Sequence, residues 1–479
     1  MSHQEPKPAR SARRAAIPAA VVAALALAAT PGAGAPPEAV RFWPSATCAG
    51  CHSSQVEQHF QSHHEKSFTS PLFQAQYFEM VLPRAARDPS IAADAKNCTA
   101  CHSPVSYANN RSLATSAGVT DPSLSGVTCD LCHTIVGFEG SEPRNGNFVV
   151  SPGSTKYGPF QKKGSHHGAY NELQTRSEIC AVCHEAVNAH GVRVKGTFSE
   201  WKESAFAKKG VQCQDCHMSK DGVFVDGGRY ESGKVSSDSL SGAPSRDKIY
   251  SHRFPGIHSG AAVEGALGLR LVKPPQRVPA GLRFTLVLQV DNGNTAHCLP
   301  TGSADLRLLW LEVTAKVNGV TIPLSADNRA RGTWGAVGEN TDDAVVIGSD
   351  VPVGARLYRA VFFDKRNRQT LASFDATSIA FDNRLQAGEK RPESYTFEVP
   401  RSATGTIQVE ARLRYRAFPT SLAKDLEVEP PPTIDVAHAT AEIALDPPPP
   451  EATPDASAQP EHLTPLERLE RLKKSRRLQ

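Results

Sequence analysis

The sequence predicts an α+β multidomain protein, a mainly helical, loop-rich region followed by an immunoglobulin-like β-sandwich. Three observations lead to that division. Five Cys-x-x-Cys-His pentapeptides all fall before residue 262, in a stretch of polar loops with few apolar runs. Beyond residue 262, apolar and polar residues alternate with period two, the mark of half-buried strands. A Pro-rich tract ends that alternation near residue 446. The 479-residue chain therefore divides into a signal peptide at 1–35, a motif-bearing domain at 40–261, a β-sandwich at 262–445, a linker at 446–463 and a terminal helix at 464–479.

The first segment has the layout of a secretory signal. Lys7, Arg10, Arg13 and Arg14 precede an Ala/Val/Leu-rich run from Ile17 to Ala29, and small residues follow through Ala35. Cleavage near Ala28 or Ala35 fits equally, with an uncleaved anchor as the alternative. The chain is thus expected to be exported and to work in the periplasm or at the cell surface. The formal charge of +4 falls to +1 without residues 1–35, which carry four basic and one acidic side chain. That balance gives no support to nucleic-acid binding, and no recognition motif for it is present.

The pentapeptides are Cys48–His52, Cys98–His102, Cys129–His133, Cys180–His184 and Cys213–His217, and they use ten of the eleven cysteines. This spacing is the attachment signature of c-type haem. Cys48, Cys51, Cys98, Cys101, Cys129, Cys132, Cys180, Cys183, Cys213 and Cys216 would form thioethers to the haem edge, and the His after each pair would ligate iron. Zinc pairs or a thioredoxin-like redox pair are the plainer reading of Cys-x-x-Cys, but neither requires His after every second Cys. Five covalently bound haem c groups are expected. They would replace the side-chain core that residues 48–216 lack, so the apoprotein should be largely unfolded.

The first cysteines are separated by 50, 31, 51 and 33 residues, and both short intervals end in a matching phrase, "GVTCDLCH" from Gly126 and "GVQCQDCH" from Gly210. A duplicated two-haem unit follows from this, with haems two and three as one close pair and four and five as another.

Each iron has a second face, and histidines are in good supply for it. The candidates include His59, His63, His64, His166, His167, His190, His252, His258 and His297, whereas Met80 and Met218 are the only methionines after the signal. Bis-histidine ligation is therefore favoured over His/Met. The chosen distal ligands are His64, His167, His252, His258 and His297, with His63, His166 and His190 in reserve. His297 would bring the β-domain against a haem. Its neighbour Cys298 is the unpaired cysteine, expected as a small buried side chain.

In the β-region, Phe284, Leu286, Leu288 and Val290 alternate with polar or smaller residues, as do Leu309, Leu311, Val313, Ala315 and Val317. Asn318-Gly319 offers a hairpin turn, and Ile407, Val409, Ala411, Leu413 and Tyr415 repeat the pattern. Past the linker, Thr464-x-x-Glu467 with Pro465 reads as a capped start, placing Leu466, Leu469 and Leu472 on one face of a basic helix.

At these residues the chain resembles the multihaem c-type cytochrome family that includes the tetrahaem partner of hydroxylamine oxidoreductase. "HFQSHHEKSF" after the first haem is similar to that family's aromatic-x-x-Ser-x-His helix, which implies His64 as a ligand. "EWKESAF" before the last haem has the same form, with Phe206 where the His would stand. "GVQCQDCHM", "SHRFPG" around His252, and "NTAHCLPTG" and "FDNRLQAGE" in the β-domain also look like family phrases, with Ala296 replacing a Gly. The surplus of candidate distal histidines points to an electron carrier, expected to exchange with redox protein partners or a quinol-linked membrane donor. Self-assembly into an array stays open. The alternative is a redox enzyme acting on a small nitrogen or sulfur compound at one open haem, although nitrite-reducing relatives use Lys in place of the motif His and all five motifs here end in His.

Overall fold

The computed structural model describes residues 42–110, 125–161, 168–220, 229–236, 243–254, 266–329, 333–339 and 350–450. The signal segment, the terminal helix and most of the linker lie outside the described residues. No helix among those described is long and apolar enough to cross a membrane. The described residues belong to one compact unit.

Up to residue 254 the chain builds short helices and two-stranded hairpins. Each haem motif sits on a helix, because Cys at i and i+3 share one face of a helical turn. The first lies in Ser45–Gln61, whose ladder breaks at His52 (φ −117°, ψ 46°). The second closes Pro89–His102, which starts with Pro89 and the Asp88 carboxylate accepting the Ser90 N–H at 3.0 Å. The third is Cys129–Cys132, capped by Thr128, whose hydroxyl accepts the Leu131 N–H at 3.1 Å. The fourth ends Glu178–His184. The fifth is Cys213–His217, with a reciprocal cap between Gln212 and Asp215.

Side-chain cores in this region are small. One cluster joins Phe42, Val105, Leu131, Ile135, Phe148, Leu173 and Val182. Another surrounds Phe68, Phe73, Tyr77 and Ile91 and reaches Ala372 and Phe374 of the strand region.

From Gly268 the chain is mostly strand. Leu308–Val317 pairs along its length with Thr406–Arg416, which pairs with Ile434–Asp446. Val320–Thr321, Arg356–Tyr358 and Arg277–Pro279 complete a six-stranded sheet. Arg283–Asp291 lies between Lys390–Glu398 and Gly268–Leu271 in a second sheet of three. Alternation decides what faces inward: Phe284, Leu286, Leu288 and Val290 from the second sheet meet Leu309, Leu311, Ile407 and Leu413 from the first in one core. Asn318 (φ 50°) and Gly319 (φ 80°) make the expected turn between Val317 and Val320.

The two regions interlock. Ala75 is buried in the β-core with Leu72 and Met80 packed on it. Arg84 pairs with Asp375, and the Asn188 amide donates to the Ser373 and Ala376 carbonyls at 2.9 and 2.7 Å.

Candidate haem-binding sites

All ten motif cysteines are half-buried, and thiols of different motifs touch. Cys48 meets Cys129, Cys101 meets Cys183, and Cys180 meets Cys213. Two of these junctions are built alike. Ser45, three residues before Cys48, accepts the Cys129 N–H at 3.2 Å, and Ser177, three residues before Cys180, accepts the Cys213 N–H at 3.0 Å. The pairs joined this way are motifs one with three and four with five. Expectation and structure agree on the second pair. They differ on the first, because motif two contacts motif four and stands outside the repeat.

Further likenesses follow the same division. Gly126 and Gly210 both have positive φ, 76° and 79°. The helix Ser45–Gln61 ends at Ser62 and the helix Thr197–Glu203 at Ser204, with ψ near 160° in both (159° and 161°) and both side chains buried. His64 follows the first by two residues, and Phe206 follows the second.

Three imidazole pairs bring a motif His together with a distant one. His133 and His252 have ring centroids 6.3 Å apart and planes at 26°. His217 and His297 are also 6.3 Å apart, at 11°. His64 and His184 are 6.1 Å apart, at 74°. A metal–imidazole bond of about 2 Å, plus roughly 1.1 Å from nitrogen to ring centre, taken twice, gives about 6.2 Å for two axial rings on one metal. The spacing fits an iron between each pair.

Hydrogen bonds at Nδ1 leave Nε2 for a metal, the usual arrangement of a ligating His. His133 Nδ1 lies 2.6 Å from the Tyr157 carbonyl, His252 Nδ1 3.0 Å from that of Tyr250, and His297 Nδ1 3.0 Å from that of Cys298. His102 and His52 bond likewise to Ser67 O at 2.8 Å and Val235 O at 2.9 Å. Burial pushes the imidazoles of His64 and His252 down to about 3 and that of His102 to about 4, and lowers His133 and His184. Neutral imidazole is the ligating form.

His252 is held from two sides. The Gln58 amide oxygen, on the helix that carries motif one, accepts the His252 N–H at 2.8 Å. Ser251 donates its N–H to the Met218 carbonyl next to motif five at 2.8 Å. Sequence reasoning missed both supports, since nothing local in the sequence ties Gln58 or the Met218 carbonyl to a residue more than thirty positions away.

The other candidates divide. His59 is buried with Nε2 on the Val127 carbonyl at 2.8 Å, so that nitrogen is taken by the backbone, and Nδ1 lies 3.3 Å from the Glu65 carboxylate without a hydrogen bond. His63 and His190 are exposed. His166, His167 and His258 lie outside the described residues. At motif two the ring stacked on His102 is Phe73, with centroids 4.0 Å apart and planes at 9°. Among the described residues, no group of three or more His, Cys, Asp or Glu forms a site for a single metal ion.

Carboxylates in two motifs pair with lysines over aromatic rings. Asp130 has no exposed side-chain surface, contacts the Lys156 ammonium and accepts the Trp43 N–H at 2.8 Å. That ammonium lies 4.1 Å from the Trp43 ring centre. Asp215 accepts from Tyr230 at 2.7 Å and from Lys248 at 3.1 Å, with Lys248 3.9 Å from the Tyr230 ring centre. These cations offset carboxylates that would otherwise sit uncompensated beside a haem. Cys298 is 3% exposed, as expected, and its thiol donates to Gln386 Oε1 at 3.1 Å.

A family profile described as cytochrome c554 and c-prime matches residues 47–134, which contain motifs one to three. The fold is similar to that of a penta-heme cytochrome c552 from Thermochromatium tepidum, with a TM-score of 0.56 and 18% identity over 85% of this chain and 100% of that chain. A CARDB domain from Pyrococcus furiosus gives a TM-score of 0.16 at 11% identity, covering 37% of this chain and 91% of that one. The human F-spondin reeler domain gives 0.15 at 9%, covering 38% and 91%. Those two likenesses carry no argument. No curated protein gives a significant match. The motifs and the family-profile match support a multihaem c-type cytochrome with covalently bound haem c and with redox proteins as its general class of partner, and the c552 likeness shows the fold.

Proposed function

We propose that the protein is an electron carrier outside the cytoplasm, holding five haem c groups, one per motif, and passing single electrons between redox partners. The observation that carries this reading is the set of three imidazole pairs, His133–His252, His217–His297 and His64–His184, each with the span of a bis-histidine iron. Haem iron supplies one-electron oxidation and reduction when bound. The chain's own contribution is to cap both faces, exclude exogenous ligands and set the sites close together, as the contacts between motifs one and three, two and four, and four and five support. The layout of residues 1–35 supports export. The two sheets sharing one core support an immunoglobulin-like class for the strand region.

One observation favours the second reading, a redox enzyme with an open haem. His102 is stacked face to face on Phe73 and, among the described residues, belongs to none of the three imidazole pairs. Electron paramagnetic resonance of the oxidised holoprotein, repeated after reduction under nitric oxide, separates the two. Five low-spin haems that refuse the ligand support the carrier. One high-spin haem that binds nitric oxide, lost on substitution at His102, moves the enzyme to first place.

A further inference from the structure

The loop that carries His297 belongs to the strand region, whereas His217 belongs to the fifth haem motif. Their rings nevertheless lie nearly parallel at the span of one metal, so some group must hold the loop in place. Within the loop, Asn292 Nδ2 and the Thr295 hydroxyl both donate to the His297 carbonyl, at 3.1 and 3.0 Å. These bonds shape the loop but do not fix it to the haem region.

Glu200 does. It sits on the helix Thr197–Glu203, between motifs four and five, with its side chain 10% exposed. Oε2 accepts the Cys298 N–H at 3.2 Å and the Thr301 hydroxyl at 2.6 Å. Oε1 accepts from Arg384 Nη1 at 2.6 Å, and the same nitrogen donates to the Pro300 carbonyl at 3.2 Å. Asp382 holds the guanidinium from its far side at 2.8 Å. One carboxylate thereby grips residues on both sides of Leu299-Pro300, starting one residue after His297. Thr197 adds a hydroxyl contact to Thr301 at 2.9 Å, and Ala296 packs against the Phe198–Trp201 cluster. A cavity of about 400 Å³ adjoins this network, lined by Glu200, Cys298, Arg384 and Gln386, so the loop has room to move if it is released.

We propose that Glu200 is a positioning residue for the haem at motif five, holding His297 at coordinating distance from His217. The inference rests on the reading of His217 and His297 as the two axial ligands of one iron. Through Glu200, the fold of the strand region sets the ligation state of a haem whose thioethers belong to the other region.

The test uses the holoprotein with Glu200→Ala, Glu200→Gln, Thr301→Val and, as the reference, His297→Ala. High-spin haem is counted by electron paramagnetic resonance, carbon monoxide uptake by the reduced protein is titrated, and midpoint potentials are read by spectroelectrochemistry. His297→Ala should convert one haem to a high-spin form that takes carbon monoxide. Glu200→Ala should open the same haem, lowering the ratio of ligated to open form about tenfold or more, the effect of losing hydrogen bonds to a charged acceptor. Thr301→Val should give a smaller shift in the same direction. Glu200→Gln, which retains an acceptor oxygen, should restore most of the low-spin signal. An unchanged low-spin count and unchanged potentials in Glu200→Ala, beside one open haem in His297→Ala, would overturn the proposal and leave the axial pair standing. No change in His297→Ala itself would remove the axial pair, and the proposal with it.

Discussion

Replacing Lys156 with Met isolates one carboxylate beside a haem. Asp130, between the two cysteines of motif three, has no exposed side-chain surface, and Lys156 is 16% exposed. The substitution removes the contacting cation, its 2.6 Å hydrogen bond to the Gly153 carbonyl and its position over Trp43. What remains for Asp130 is the Trp43 N–H at 2.8 Å. Breaking a buried ion pair from one side costs about 3–5 kcal/mol, and the surviving hydrogen bond puts the loss near the lower end. About 3 kcal/mol lowers the folded-to-unfolded ratio roughly a hundredfold. Tyr157, the next residue, presents its carbonyl to His133 Nδ1, so the same change should disturb one haem's low-spin signal. Guanidinium titration of the holoprotein, read by Soret absorbance and circular dichroism, measures the loss. The double variant Asp130→Asn/Lys156→Met should return to within about 1 kcal/mol of the parent, because no charge is then stranded. A single variant losing less than about 1 kcal/mol, or a double variant no better than the single, would falsify the reasoning.

Three further outcomes are expected. His252→Ala should create one high-spin haem, whereas His59→Ala should lower stability and leave the low-spin count intact, because His59 Nε2 already bonds the Val127 carbonyl; electron paramagnetic resonance reads the contrast. Gly126→Ala and Gly210→Ala share the cost of a positive φ, about 1–2 kcal/mol, but a methyl at 126 would also strike the Glu65 carbonyl beside His64, so only that variant should perturb the His64–His184 haem. Asp305 is buried, and burial pushes its carboxyl up to about 6, against the pull of Lys195, Arg307 and the backbone N–H groups of Asp305 and Leu306. The folded state therefore binds this proton more tightly than the unfolded chain. Stability is full below the unfolded value near 4 and falls as pH rises through about 6, by about 3 kcal/mol in all. Asp305→Asn should match the parent in melting temperature at pH 4 and exceed it at pH 8; a gap that does not change with pH would count against this account.

The Cys-x-x-Cys-His motifs were readable because attachment chemistry imposes a local spacing, and the strands because burial on one face imposes alternation. Arg283–Asp291 and Thr406–Arg416 follow the expected pattern residue by residue. The pairing of motifs was not readable in the same way. The phrase shared by Gly126 and Gly210 marks the second member of each pair, but nothing local says which earlier motif is its mate. Ser45 and Ser177 do, each three residues before a Cys, and their role depends on hydrogen bonds across 84 and 36 residues. Long-range supports such as Gln58 under His252 and Glu200 under the His297 loop were hidden for the same reason. A single polar side chain on a helix has no periodicity to betray it.

The meeting of cysteines from different motifs has a consequence for how the protein is made. Cys48 and Cys129, Cys101 and Cys183, and Cys180 and Cys213 are close enough to share a proton, so in an oxidising compartment a folded chain without haem would hold three pairs of thiols open to mutual oxidation. Each such bond would consume sulfurs from two attachment sites at once. On the proposed reading of an exported chain with haem at each motif, the thioethers would have to form while the segments are still apart, and the final fold would then bring together sulfurs that can no longer react.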